Sequence, residues 1–446
     1  MAYHWVRVLR ITCCAGLTAA LGMAGCKDDP SGDGGSSGTS GGTTTAGASS
    51  GDTADSTTGS GVTDETDSGS TGAQMTGTTA VVTDSDTLGT TGDVPIECGN
   101  GEVAPGELCF GPAQQVLPTP TGALTVADFD NDGVPDIAAG HDGSVSLLLG
   151  VGDGAFLAPE IVGTAGGVLG LATGELDGDA FVDLVVANAS DDSFTVWLSA
   201  GDGTLIEGDT LGVGAFPRAF AVADLDDDNV LDIAVVSEGS SELTVFTGLG
   251  DGTFAFAEIL DTGASPSGVT AFDLDGDAYP ELAVANFGSN SVTTFQGSPG
   301  GFSLIESTAV GPGPRGIVTV DITDDGQDDL ATADQAANGI SVLAGAGDGE
   351  LDPFSQAVAG NNPRALAAAD IDADGRADLA VALETDNAVG VLRTDEDGQW
   401  LVAQTIATAP QPAAIATADL NGDGAHDLIT ASAAADGGVA VVLADP

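Results

Sequence analysis

Basic residues are almost missing from this chain of 446 residues: 8 Lys and Arg stand against 68 Asp and Glu, a formal charge of −60. That balance excludes nucleic acid as a partner, because phosphate binding draws on clustered Lys and Arg. It equally excludes docking on anionic lipid headgroups. Aromatic residues are scarce at 4%, while Gly reaches 67, a combination that suits short strands joined by tight turns. Cysteine is absent from residues 110–446, and the three histidines are scattered as His4, His141 and His426. What the chain has in plenty is acid, and the acid admits three readings: a high-salt habitat, simple solubility, or bound cations that offset it. The third is favoured by the spacing of the acids.

The first segments read as export and tethering. Arg7 and Arg10 precede a mostly apolar run from Ile11 to Met23, too short for a comfortable membrane span. It ends Met23-Ala24-Gly25-Cys26, which resembles a bacterial lipobox with Met23 in the usual Leu position. Residues 1–25 are then a signal peptide and Cys26 the lipidated mature N-terminus; ordinary cleavage near Ala24 is the alternative, and either exports the protein. Residues 26–95 are Gly, Ser, Thr and Asp with almost no large apolar side chains. They cannot bury enough surface to offset their ordering entropy, so a disordered tether is expected, with an r.m.s. reach of about 45 Å. Residues 96–109 carry Cys98 and Cys109 in a pattern resembling the opening of a Cys-rich repeat of bacterial surface proteins. A Cys98–Cys109 disulfide is expected in an oxidising compartment. A thiolate metal site is the weaker alternative, because no His completes a zinc shell.

From residue 110 the sequence repeats. The stretch Asp128-Phe129-Asp130-Asn131-Asp132-Gly133-Val134-Pro135-Asp136 places acids at positions 1, 3, 5 and 9 and Gly at 6. Its counterparts begin at Glu175, Asp224, Asp273, Asp321, Asp370 and Asp419, at intervals of 47 to 49 residues. Each acidic stretch sits between two short apolar runs, such as Phe220-Ala221-Val222-Ala223 and Ile233-Ala234-Val235-Val236. A third run and then a fourth follow, the last two separated in several copies by Gly-Asp-Gly. Four strands in a unit of this length is the grammar of a propeller blade. The final copy ends after its third strand, while Phe110 to Val116 has the look of an orphan fourth strand. The expected fold is therefore all-β: a seven-bladed propeller over 110–446, closed by its N-terminal strand, with no free sheet edge at the seam.

These repeats resemble FG-GAP/VCBS-type repeats, the blades of integrin α-chain propellers and of many bacterial surface proteins. The resemblance implies that the loop after each first strand binds calcium, through side chains at positions 1, 3, 5 and 9 and the carbonyl at 7. It also implies that partners use the opposite face and the channel mouth. The implied ligands are Asp128, Asp130, Asp132 and Asp136; Glu175, Asp177, Asp179 and Asp183; Asp224, Asp226, Asp228 and Asp232; and Asp273, Asp275, Asp277 and Glu281. The fifth, sixth and seventh loops offer Asp321, Thr323, Asp325 and Asp329; Asp370, Asp372, Asp374 and Asp378; and Asp419, Asn421, Asp423 and Asp427. Hard oxygen donors on a tightly curled loop suit Ca²⁺, up to seven ions in all. The second and fourth loops carry Ala180 and Ala278 at the Gly position. If that position needs positive φ, these two are expected to be weakest or restructured.

Scarcity makes the cations informative. Arg218, Arg315 and Arg364 share one register, six residues before the first acid of their loops, each after a Pro. They read either as an anion-binding site or as braces paired with neighbouring acids. No catalytic constellation is found: Gly311-Pro312-Gly313-Pro314-Arg315-Gly316 fits a dinucleotide fingerprint with no helix after it. His426, inside the seventh loop, reads as solvated. The chain is thus expected to be a non-enzymatic, calcium-binding lipoprotein of the bacterial outer membrane or cell surface, adhering to a protein or glycan. Alternatives are an envelope scaffold without soluble ligand, and a calcium-dependent hydrolase or lyase.

Overall fold

The computed structural model describes residues 108–444 apart from 165, 346–350, 395–399 and 402–403. The signal segment, the tether, Cys26 and Cys98 lie outside the described residues. Twenty-eight strands form seven antiparallel four-stranded sheets. The third blade shows the pattern: Pro217–Ala223 innermost, then Asp232–Ser237, Glu242–Gly248 and, outermost, Phe254–Asp261. The other blades cover 123–163, 168–212, 266–309, 314–358 and 363–407, and the seventh is 412–442 together with 114–117. Neighbouring innermost strands pack side by side around the ring, including Ala123–Ala127 against Pro412–Ala418, so the ring closes.

Burial explains why the second strands read as unbroken apolar runs. Each lies mid-sheet with a neighbouring blade on either side, so both faces are covered, and Asp232–Ser237 is buried along its whole length. The outermost strands are mostly exposed, as in Leu205–Gly212. The cores lie between blades. Phe194 of the second blade meets Phe220 and Phe246 of the third edge-on, with ring centroids 5.9 and 5.2 Å apart. The residues flanking each acidic loop act as its anchors: Phe129, Leu176, Leu225 and Leu274 at position 2, and Ile137, Leu184, Ile233 and Leu282 at position 10, are all buried.

The closure has the form expected from the two partial repeats. Gln114–Leu117 pairs antiparallel with Gly438–Val442, with Gln115 opposite Ala440, and Phe110 bridges to Ala444. Leu117 from the closing strand joins a core cluster with Ile429 and Val441 of the seventh blade and Leu124 and Ile137 of the first. The first and last parts of the propeller are thus held in one sheet and one core.

Two sets of hydrogen bonds stitch blade to blade. On the acidic-loop side, the Gly-Asp-Gly turn donates to the loop of the preceding blade: Gly203 N–H to Phe129 O, Gly252 N–H to Leu176 O, and Gly154 N–H to Leu420 O, at 3.1–3.2 Å. Gly203 has φ +80°, and a Cβ there would lie 2.7 Å from Leu149 Cδ1, so glycine is required twice over. On the opposite side, a left-handed residue in each of four turns between second and third strands accepts an N–H from the next blade. These pairs are Asp192 with Phe216, Asn290 with Gly313, Asn338 with Asn362, and Asn387 with Gln411, at 2.8–3.1 Å.

Leu117→Ala is expected to destabilise the propeller by about 2–4 kcal/mol, as for other buried leucines, because the vacated space lies in the closing seam. Chemical denaturation checks this, with the exposed Gln114→Ala expected to change stability by less than about 0.5 kcal/mol.

Candidate functional site

The acidic loops share one backbone. Positions 4 and 6 both take positive φ in every copy, from Asn131 and Gly133 (56° and 88°) to Gly422 and Gly424 (74° and 89°). Ala180 and Ala278 are held at φ 75° and 79°, so the strain expected at position 6 is present, at about 1–2 kcal/mol for a residue with Cβ. In the second and fourth loops Gly178 and Gly276 occupy position 4, and their N–H groups bond the first acid, Glu175 or Asp273. In the first loop that acid instead accepts from positions 5 and 6, Asp132 N–H at 3.1 Å and Gly133 N–H at 2.9 Å. The first, third, fifth and sixth loops share this second arrangement.

The four acidic positions divide the work. Position 5 closes a local turn in all seven copies by accepting the N–H of position 7, as Asp132 does from Val134 at 2.8 Å. Position 9 is buried at the start of the second strand. Asp232 accepts Leu225 N–H with one oxygen and Gly248 N–H with the other, both at 2.8 Å, tying loop, second strand and end of third strand together. Asp136, Asp183, Asp329 and Asp427 repeat this. In the fourth blade the longer Glu281 takes Gln296 Nε2–H at 2.6 Å in place of the second backbone donor.

In the first loop position 3 has an oxygen to spare, and that is where a cation fits. Asp130 Oδ1 and Thr323 Oγ1 are buried with no hydrogen-bond partner. Carboxylate oxygens gather within 4.8 Å of one another in five loops: Asp128, Asp130 and Asp136; Glu175, Asp177 and Asp179; Asp224, Asp226 and Asp232; Asp273, Asp275 and Glu281; Asp370, Asp372 and Asp374. These are the hard, anionic oxygens that Ca²⁺ takes. Among the described residues the fifth and seventh loops form no such trio. In the sixth loop Arg393 Nη1 already meets the buried Asp372 at 2.9 Å, an internal cation at position 3.

Burial without a cation leaves the ninth acids hard to ionise. Desolvation first, and the neighbouring acids after it, push Asp136 and Asp183 up to about 6, and Asp232, Glu281, Asp378 and Asp427 up to about 7. The backbone N–H donors oppose the rise without cancelling it. His426 is half-buried rather than solvated, with Nδ1 unpartnered and its pKa lowered by desolvation. His141 is buried, with Nε2 2.7 Å from Ser146 Oγ and Nδ1 near Pro120 O and Thr121 Oγ1. Both histidines sit where the close packing of a turn or loop against the core removes water.

The other face carries the arginines. At their register the remaining blades place Leu169, Ser267 and Ala413 on the innermost strands and Gly122 just before one. Arg218 pairs with Glu238 at 2.9 Å and Arg364 with Glu384 at 3.0 Å, in each case across one blade; these two ion pairs do not brace neighbouring blades. Arg315 differs. Its Nε donates to Gln335 Oε1 at 3.0 Å, and Cζ lies 4.1 Å from the centroid of the Phe287 ring on the preceding blade. Burial, with Arg218 and Arg364 nearby, lowers its pKa to about 10. Sequence reasoning identified the arginines but missed Gln335, Phe287 and the interblade Asn residues; the signal available was their recurrence at the repeat spacing.

Two outcomes are expected of the loops. The unfolded chain ionises its acids near 4. Between there and about 7 the calcium-free folded state therefore holds extra protons, and its stability falls as pH rises. Calorimetry in chelator is expected to give a lower Tm at pH 7.5 than at pH 5, and calcium is expected to raise Tm more at the higher pH. Separately, Asp232→Ala is expected to cost about 2–4 kcal/mol with or without calcium, since two buried N–H groups lose their acceptor. Asp226→Ala is expected to cost nothing in chelator and to lower only the calcium-dependent increment.

An FG-GAP-like repeat model matches the sequence in six overlapping windows: 128–186, 175–235, 224–284, 273–332, 321–381 and 370–430. Among curated proteins none matches. The fold is similar to a crystal structure of BBS1N in complex with ARL6DN at 13% identity and TM-score 0.56, covering 76% of this chain and 97% of that one. A protein from Lactobacillus plantarum is similar at 19% identity and TM-score 0.51, covering 66% of this chain and 86% of that one. Repeat spacing, seven closed blades and the family match together show that this chain belongs to the FG-GAP-like repeat family and is built as a binding module.

Proposed function

We propose that the protein is an exported, lipid-tethered propeller whose loops hold calcium and whose opposite face binds a protein or glycan. The observation that carries the reading is the separation of chemistry between faces. Trios of carboxylates, the first with an orphaned buried oxygen on Asp130, occupy one side, and three of the propeller's five arginines, Arg218, Arg315 and Arg364, gather on the other. Calcium in the loops relieves carboxylate repulsion and so stiffens the ring, while Asp130, Asp226 and their counterparts supply oxygen ligands. The fold it shares with BBS1N, crystallised in complex with ARL6DN, supports a platform for partners rather than a reaction centre. Lipidation at Cys26, a tether over 26–95 and a Cys98–Cys109 staple would set the propeller away from the envelope.

The full chain is expected to melt at least several degrees higher in millimolar calcium than in chelator, and an unchanged melt would remove calcium from the proposal. Cys26→Ser is expected to move the protein from the membrane fraction to the soluble one. Partner capture from an envelope extract is expected to weaken in chelator.

A further inference from the structure

The arginine register holds one group that makes no direct ion pair among the described residues, with Glu238 and Glu384 acting on it only from a distance. In the third and sixth blades the residue 20 positions after the arginine is a glutamate, and it forms the ion pair. In the fifth blade that residue is Gln335, which engages Arg315 only through Nε. Phe287 lies against the guanidinium, its ring centroid 4.1 Å from Cζ. Among the described residues neither Nη of Arg315 has a hydrogen bond or a carboxylate. A guanidinium anchored at Nε and against a ring, with no hydrogen bond at either Nη, is prepared for bidentate contact with a carboxylate. In a chain of formal charge −60, an unpaired cation between two paired ones has no shortage of acids that could have neutralised it.

A second observation lies on the same rim. The residue before each blade's Pro takes positive φ at Phe216, Ser265, Gly313, Asn362 and Gln411. Four of these are small or polar; Phe216 is bulky, sits at φ 62° and is 49% exposed. Its carbonyl accepts the N–H of Glu238, the partner of Arg218, so it stands beside the arginine register. An exposed aromatic held in a costly backbone conformation does nothing for the core, and it offers a flat apolar surface at the mouth.

We infer that this mouth binds a glycan carrying a single uronic-acid unit, the carboxylate on the free edge of Arg315 and the apolar face of another sugar of the same chain against the Phe216 rim. A peptide carboxylate brings no comparable flat face beside the acid. A polyanion is repelled by the rest of the surface, so one carboxylate among neutral sugars is the fitting ligand. The inference rests on the reading above that this face is the binding face.

The test uses the full calcium-loaded chain with two probes: a neutral oligosaccharide capped by one glucuronate, and the same molecule with that glucuronate reduced to glucose. Wild type is expected to bind the acidic probe at least tenfold more tightly than the reduced one. Gln335→Glu, which supplies the missing internal carboxylate, is expected to remove that preference while the melting temperature is kept. Phe216→Gly is expected to weaken both probes about fivefold without lowering the melting temperature. Equal binding of the two probes, failure to bind either, or a Gln335→Glu protein that keeps the preference overturns the inference. Calcium-dependent capture of another partner by a protein indifferent to both probes leaves the proposed function standing while this inference falls.

Discussion

The buried carboxylate at the ninth position of each acidic loop is the interaction on which the rest of the propeller leans. In the third blade Asp232 satisfies two backbone N–H groups that come from different parts of the blade. Removing it would leave both unpaired in a dry interior, where such groups are costly. It also sets the loop: with position 9 pinned under Leu225, positions 1 and 3 are left facing one another at the rim. Electrostatic repulsion among these acids is the consequence, and a divalent cation is its natural remedy. The loops are thus parts of the frame first and candidate cation sites second.

From that frame the two faces acquire different roles. On the loop side, curled backbone at positions 4 and 6 brings acids together, and the Gly-Asp-Gly turns of the next blade hold the loop carbonyls. On the other side, left-handed Asp and Asn residues tie four of the blades to the next, and only there do the arginines of the innermost strands reach the surface. The carboxylate trios suited to a cation therefore lie on one face, and the arginine register lies on the other. The departures from the repeat are the informative positions. Gln335 stands where Glu238 and Glu384 stand in other blades, and Phe216 takes a backbone conformation that other blades fill with Ser, Gly, Asn or Gln.

The repeat spacing, the loop positions and the orphan strand at Phe110 were legible in the sequence because each obeys a local rule. Acids alternate on a curled loop, apolar residues anchor it at positions 2 and 10, and a missing fourth strand demands a complement. The roles of the acids were less legible. Asp132 and Asp136 look equivalent on paper, yet one closes a local turn at the rim and the other is buried between strands. Arg393 shows the same limit, because its approach to Asp372 depends on how the third strand passes the loop.

Sequence alone determined that there are seven blades, where each acidic loop falls and how the ring closes, because periodicity and complementarity are properties of the chain read end to end. Tertiary structure decided which oxygens are free for a cation and which arginine is left without an acid. Those outcomes turn on burial and on contacts between residues about 20 positions apart or on different blades. Asp232 and Asp226 differ by six positions and share one chemistry; only the packing of the third strand beside one of them makes it a strut and leaves the other at the rim.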